Sequence, residues 1–316
     1  MALRDVASVF GRYFVVGFFL PSFFSLFVLA HSLTSDLLPN VYERHSEGAQ
    51  VLIVGGAALL VGLMAAGARN LVELFLSGVF LMPRPGSPIA RFIQPFTWLV
   101  MLPSRRTFSR LVKARDASQD QARQTQLAWH LDRRYPQQSD ALMPTAYGNT
   151  NKATPNYAWS RWRLDMDAIE DHILALMSDG ERALYEEART DLAFFVNGTL
   201  GALAVFGTLV ADEILNHPHS ARFAWAYALM LLTVALLYRQ AVAALDRLGR
   251  RKRASIDLHR LELYQKLGLR LPRSFAEEHE IARAINRCLL WGWPLPEKFS
   301  SARAKAPTPA DRGAAG

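Results

Sequence analysis

"LAFFVNGTLGALAVFGTLVA", residues 192–211, holds no Asp, Glu, Lys or Arg and is closed at each end by an aspartate, Asp191 and Asp212. A helix of about 20 residues rises about 30 Å, the thickness of the hydrocarbon core of a bilayer. A surface helix of a soluble protein keeps one polar face, and this block has none. It reads as a transmembrane helix.

Three more blocks have the same character. Between Arg12 and Asp36 there is no charged side chain, and Phe14 to Leu33 is the first candidate span. Between Gln50 and Arg69 lies VLIVGGAALLVGLMAAGA, whose glycines and alanines suit close helix packing in lipid. The fourth begins at Phe223 and reaches Tyr238, with Arg239 placed to snorkel. The first block is about twice the apolar length of a signal peptide, with no clear small-x-small site after it, so it reads as an uncleaved anchor. Four such blocks predict an all-α membrane protein.

The connections set its orientation. Residues 33–50 and 212–222 carry one basic residue each, Arg44 and Arg222. Residues 84–189 carry 15, and residues 239–316 carry 16 against 8 acids. Lys and Arg stay on the cytoplasmic side. Both termini and a mainly helical lobe between spans 2 and 3 are therefore expected in the cytoplasm, in a multi-pass protein of the cell membrane. The net charge of +8 traces to the tail. Its RLGRRKR run follows the last span, and Arg250, Arg251, Lys252 and Arg253 are expected to contact anionic headgroups. No aromatic platform is interleaved with them, which argues against nucleic acid.

The expected organisation is transmembrane helices 1 and 2 over residues 1–68, interfacial segments over 69–110, a cytoplasmic lobe over 111–190, and transmembrane helices 3 and 4 over 191–245. A helical cytoplasmic tail follows over 246–295, then a disordered Pro/Ala/Gly-rich end over 296–316. The 69–110 stretch is apolar but interrupted by Glu73, Pro83, Pro85, Pro88 and Pro95. A buried helix pair is its alternative reading. The single cysteine, Cys288, excludes an internal disulfide and reads as packing.

Residues 144–165, PTAYGNTNKATPNYAWSRWRLD, have turn formers, aromatics and no apolar period. The first part reads as a loop. Tyr157, Trp159 and Trp162 then alternate with Arg161 and Arg163, and Asp165 stands four residues after Arg161. On a helix that spacing makes a pair. The segment is expected to form a fixed plug with a polar interior.

Here the chain resembles a group of uncharacterised bacterial four-helix membrane proteins. Their central segment reads Pro-Thr-x-x-Gly-Asn, then an Ala, a Tyr and Arg-Tyr-Gly-x-Asp. Pro144, Thr145, Gly148, Asn149, Ala153, Tyr157, Arg161, Leu164 and Asp165 match it. RYFVVGFFLP (12–21), NLVELFLSG (70–78) and the Asp-Leu-x-Arg of IDLHRLELYQKLGLRLP (256–272) resemble other segments of that group, in order. The chain departs at Pro155, Trp162 and Arg163, where the group has Glu, Tyr and Gly, and at Glu170 to Ile173, where it has Trp-Pro-Arg-Leu. The resemblance implies the architecture and no activity.

No Gly-rich phosphate loop, His-x-x-x-His pair or Gly-x-Ser-x-Gly elbow is present. The first functional reading is therefore non-enzymatic sensing, docking or scaffolding through the lobe. It needs no cofactor or metal, and its partners are the bilayer, a cytoplasmic protein or a second copy. The alternatives are a membrane enzyme using Asp165, Asp167, Asp171 and His172, or an oligomeric pore or membrane-perturbing effector lined by Asn197, Thr199 and Thr208. A solvated acidic helix face gives the same carboxylate pattern.

Overall fold

A computed structural model describes residues 11–32, 46–82, 90–216 and 224–301. Every regular element among them is helical; the pairing of Leu269 with Ser300 is an isolated bridge. A π-helical turn, Val15–Phe19, leads into α1 (Leu20–Ser32). Then come α2 (Glu47–Gly67), α3 (Arg69–Ser77), α4 (Ala90–Asp116), α5 (Gln121–Arg134), α6 (Ala146–Trp162) and α7 (Met166–Leu176). The long α8 (Asp179–Asn216) and α9 (Ala224–Lys266) precede α10 (Phe275–Trp291). Four helical stretches are long and apolar enough to cross a membrane: Gly11–Ala30, Glu47–Gly67, Asp179–Ile214 and Trp225–Lys266. The chain divides into two compact units.

The first unit comprises Met1–Ser104, Met143–Gly148 and Glu186–Leu248. Small residues bring its spans together. A β-carbon at Gly17 would meet Ala193 at 2.8 Å, and one at Gly201 would collide with the Ser25 hydroxyl. Residue 17 beside 193 and 25 beside 201 means that the first span and α8 run in the same direction. Gly62 lies on Phe18 and Phe19, while Arg69 reaches Tyr13, so α2 runs the opposite way. Tyr227 meets Leu209, Gly198 faces Leu237 and Arg247 pairs with Asp191, so α9 is antiparallel to α8. The spans alternate in direction, as a chain threaded back and forth through a bilayer must.

The second unit comprises Arg105–Leu142, Asn149–Tyr185 and Gly249–Gly316. Its apolar core is Leu164, Ile169, Ile173, Ile256, Leu263, Ile281 and Ile285, each at most 2% exposed. Asp120, Asp165 and Ser274 cap α5, α7 and α10 by accepting a backbone N–H in the first turn. The break between α7 and α8 falls at Met177 and Ser178, where the sequence shows Ser178-Asp179-Gly180.

Three expectations need correction. The first part of the 144–165 segment is mostly helix, not a loop; α6 runs from Ala146 to Trp162 with Pro155 inside. Asn149, Thr150, Ala153, Thr154, Ala158 and Trp162 are all buried. Small and polar residues fill more than one face, so no apolar stripe marks the helix. The basic run lies on the last long helix rather than after it, because α9 continues unbroken from Ala224 to Lys266. Residues 296–301 are ordered: Glu297–Phe299 form a 3-10 turn with Phe299 buried. The expectation for residues 302–316, and those on Pro83, Pro85 and Pro88, lie outside the described residues.

Candidate functional site

The motif's first half is a clasp within the first unit. The carbonyls at the C-terminus of α3 lack helix partners. The Thr145 hydroxyl donates to the Leu76 carbonyl at 2.7 Å and accepts the Gly148 N–H at 2.9 Å. Ser104 donates to the Pro144 carbonyl at 2.9 Å, and the Tyr147 N–H donates to the Tyr238 hydroxyl at 3.1 Å. Gly78 ends α3 in the left-handed conformation, φ 71°, with Thr145 and Pro144 against it. A β-carbon at Gly148 would stand 2.6 Å from the Ser77 carbonyl oxygen. Pro144, Thr145 and Gly148 thus have one structural purpose, to seat the start of α6 on the end of α3.

Beside the clasp is a cavity of about 20 Å³ lined by Tyr13, Arg69, Glu73, Tyr147, Arg189 and Asn197, among others. That volume holds about one water. Arg69 binds Glu73 at 2.8 Å and donates to the Tyr13 hydroxyl at 3.3 Å. The Arg189 guanidinium lies 4.7 Å from the Tyr13 ring centre. Burial pushes the Tyr147 phenol up, and the Glu73 carboxylate adds to it. Asn197, the one amide in the span interiors, donates to the Gly17 carbonyl at 2.7 Å and to Ala193 at 2.9 Å. The α-helical partner of the Gly17 carbonyl would be residue 21, a proline with no N–H, and Asn197 supplies a donor in its place. Thr199 is 1% exposed and donates to Phe195. These two side chains serve the packing within one chain rather than facing outward, while Thr208 is half-buried and donates to the Ala204 carbonyl.

The motif's second half builds the polar core of the second unit. Asp257 on α9 accepts from the Tyr157 hydroxyl at 2.7 Å and from the Trp162 indole N–H at 2.8 Å. Arg260, one turn on, lies 3.6 Å from the Trp162 ring centre and binds Glu278 at 2.9 Å. Arg253, one turn back, lies 4.9 Å from the Tyr157 ring centre and binds the Asp132 carboxylate at 3.2 Å and its carbonyl at 2.9 Å. Lys252 binds Glu170 at 2.6 Å, and Glu170 also accepts from Tyr185. The Tyr157 phenol is pushed up to about 12, first by burial and then by its bond to Asp257.

The Arg161–Asp165 pair is not formed. The helix ends at Trp162 and the chain turns at Arg163, φ 58°, so the four-residue spacing no longer stacks the side chains. Arg161 lies 5.7 Å from the Tyr157 ring and 5.3 Å from Trp162, while its carbonyl meets His279. Asp165 caps α7 through the Asp167 N–H. Asn286 holds the turn, donating to the Arg163 carbonyl and accepting the Asp165 N–H. Asn149 is fully buried. Asp171 and His172 are exposed, and no group of three or more His, Cys, Asp or Glu is placed to hold a metal among the described residues. Lys252 and Arg253 turn inward, correcting their headgroup assignment, whereas Arg250 and Arg251 are exposed.

The sequence reading passed over Glu278 and Asn286. No protein-family model, curated protein or solved structure matches the chain.

Proposed function

We propose that this is a multi-pass protein of the cell membrane with both termini and a helical lobe in the cytoplasm, and that the lobe senses, docks or scaffolds rather than catalyses. The observation that carries this reading is where the lobe's charges go. Asp257, Glu278, Glu170 and Asp132 each face a tyrosine, tryptophan, lysine or arginine of the lobe itself. A catalytic carboxylate must face a substrate proton or electrophile. Here the paired groups fix a shape, and a fixed shape is what a docking surface needs.

The distribution of Lys and Arg supports the orientation, and the alternating direction of the spans agrees with it. The resemblance to the bacterial four-helix group supports the same architecture. Reporter fusions after residues 45 and 217 should read outside, and fusions after 140 and 300 inside. A cytoplasmic signal at residue 45 overturns the orientation. Full-length protein purified from its own membranes should turn over no small molecule it retains. A stoichiometric metal or nucleotide, lost together with a measurable reaction on changing Asp167 and Asp171 to Asn, replaces docking by the enzyme reading.

A further inference from the structure

Half of the basic run at Arg250–Arg253 is consumed inside the second unit, but charge and aromatic area stand together elsewhere in it. On α10, Glu278, Ile281, Ala282, Ile285 and Asn286 are buried. The opposite face presents Arg283, Arg287, Leu290 and Trp291, whose spacing of four, three and one keeps them on one stripe. Leu290 is 44% exposed and Trp291 65%. Gly292, φ 68°, caps the helix, and its N–H bonds the Cys288 carbonyl. That turn returns the chain so that Trp293, 55% exposed, lies with its ring centre 6.0 Å from Trp291. The Arg287 guanidinium is 5.9 Å from the Trp293 ring centre. The one acid on the stripe, Glu280, is neutralised by Lys298 at 3.0 Å. Arg283 donates to the His279 carbonyl, and neither it nor Arg287 makes an ion pair among the described residues.

We infer that the tip formed by Leu290, Trp291 and Trp293, with Arg283 and Arg287 behind it, is an interfacial anchor that takes anionic phospholipid. Tryptophan is the side chain that settles at headgroup depth, where its apolar ring and N–H are both satisfied. Two uncompensated guanidiniums beside it match phosphate. A second copy docking through the same patch would set these arginines against themselves, which disfavours it. Lipid is also always at hand, because the same chain carries the spans, so even a weak contact is favoured by effective concentration. The inference rests on the cytoplasmic placement proposed above, since anionic lipid is concentrated in that leaflet.

The test uses the full-length chain in nanodiscs, whose two leaflets are alike, so its result does not depend on the orientation read by the fusions. In a Cys288→Ser background, Trp291→Cys carries an environment-sensitive fluorophore, with Gln124→Cys as an exposed control. Discs contain phosphatidylcholine alone or with phosphatidylglycerol, each with spin-labelled lipid as quencher. The label at 291 should shift to the blue and be quenched in the phosphatidylglycerol discs, well beyond position 124. Arg283→Gln with Arg287→Gln should lower its bound-to-free ratio about 30-fold at low salt, about 5-fold per arginine. Added salt should imitate the double change. A label at Trp293→Cys should repeat the result if position 291 proves sensitive to labelling. Quenching equal to the control at both positions overturns the inference. So does quenching indifferent to phosphatidylglycerol and both arginines, or a signal that depends on the number of copies per disc.

Discussion

A β-carbon at Gly148 would stand 2.6 Å from the Ser77 carbonyl oxygen and 2.8 Å from Met143 Cβ, both in the clasp. Neither atom is the free end of a flexible chain. Gly148→Ala should therefore destabilise the detergent-purified protein by roughly 1–3 kcal/mol, as overpacking does. Gly180, in the first turn of α8, has open space around it. Gly180→Ala should be stabilising, by about 0.4–1 kcal/mol, because it restricts the unfolded chain. Thermal unfolding of the two variants in one detergent separates them, and equal shifts would show that the clasp contact is not made. The Tyr157 phenol gives a second test. Its folded value is raised to about 12, from an ordinary value of 10. Folding therefore favours its protonated form. That contribution is fully present below pH 10 and is lost as pH rises from 10 to 12. Wild type should lose stability relative to Tyr157→Phe across that window. Partial exposure keeps the difference near 1 kcal/mol or below. A difference that stays flat from pH 9 to 12 would remove the Tyr157–Asp257 bond from the account.

Among the helices, the spans were legible because lipid leaves one solution: about 20 uncharged residues with every backbone group bonded internally. Helix α6 was not legible, because a helix packed on several faces by Ala153, Thr154 and Ala158 shows no stripe. Gly249 on α9 would place a β-carbon 2.6 Å from the Thr154 hydroxyl, which shows how close that packing is. The Arg161–Asp165 pair failed on one dihedral. Arg163 adopts a left-handed turn, a conformation that favours glycine, and no spacing rule survives it. The inward turn of Arg253 was hidden too, because its partner Asp132 lies 121 residues away. The π-turn at Val15–Phe19 makes an element-scale prediction. Asn197→Ala leaves the Gly17 carbonyl without its 2.7 Å donor. Stability should fall by about 1–3 kcal/mol, the cost of a buried unsatisfied group. Asn197→Gln should not restore it, because the longer amide cannot reach both carbonyls from the same place. An unchanged unfolding midpoint for Asn197→Ala would show that the turn needs no side-chain donor.

At the scale of the molecule, the two units differ in what closes their cores. Only 17–28% of each span window is buried inside the chain, so most of that apolar surface depends on hydrocarbon from outside. The second unit closes its own core with Ile169, Ile173, Ile256, Ile281 and Ile285, and locks it with Asp257, Arg260 and Glu278. Amide exchange opens locally, and its rate reports the stability of each region separately. Exchange in the full-length chain should therefore respond to the amphiphile in one unit and not in the other. Transfer from lipid nanodiscs to a short-chain detergent should speed exchange in α1, α2 and the stretch 192–211 of α8 at least about tenfold, or about 1.4 kcal/mol of local stability. Residues 149–162 of α6, with α7 and α10, should change little, except at the 290–293 tip, where protection should fall if lipid covers it. Asp257→Asn should give the reverse pattern. It weakens the acceptor of Tyr157 and Trp162, so α6 and α10 should exchange faster while α1 and α2 keep their rates. Uniform loss of protection in both experiments would mean that the units unfold as one, and that the division of labour between lipid-closed and self-closed cores does not hold.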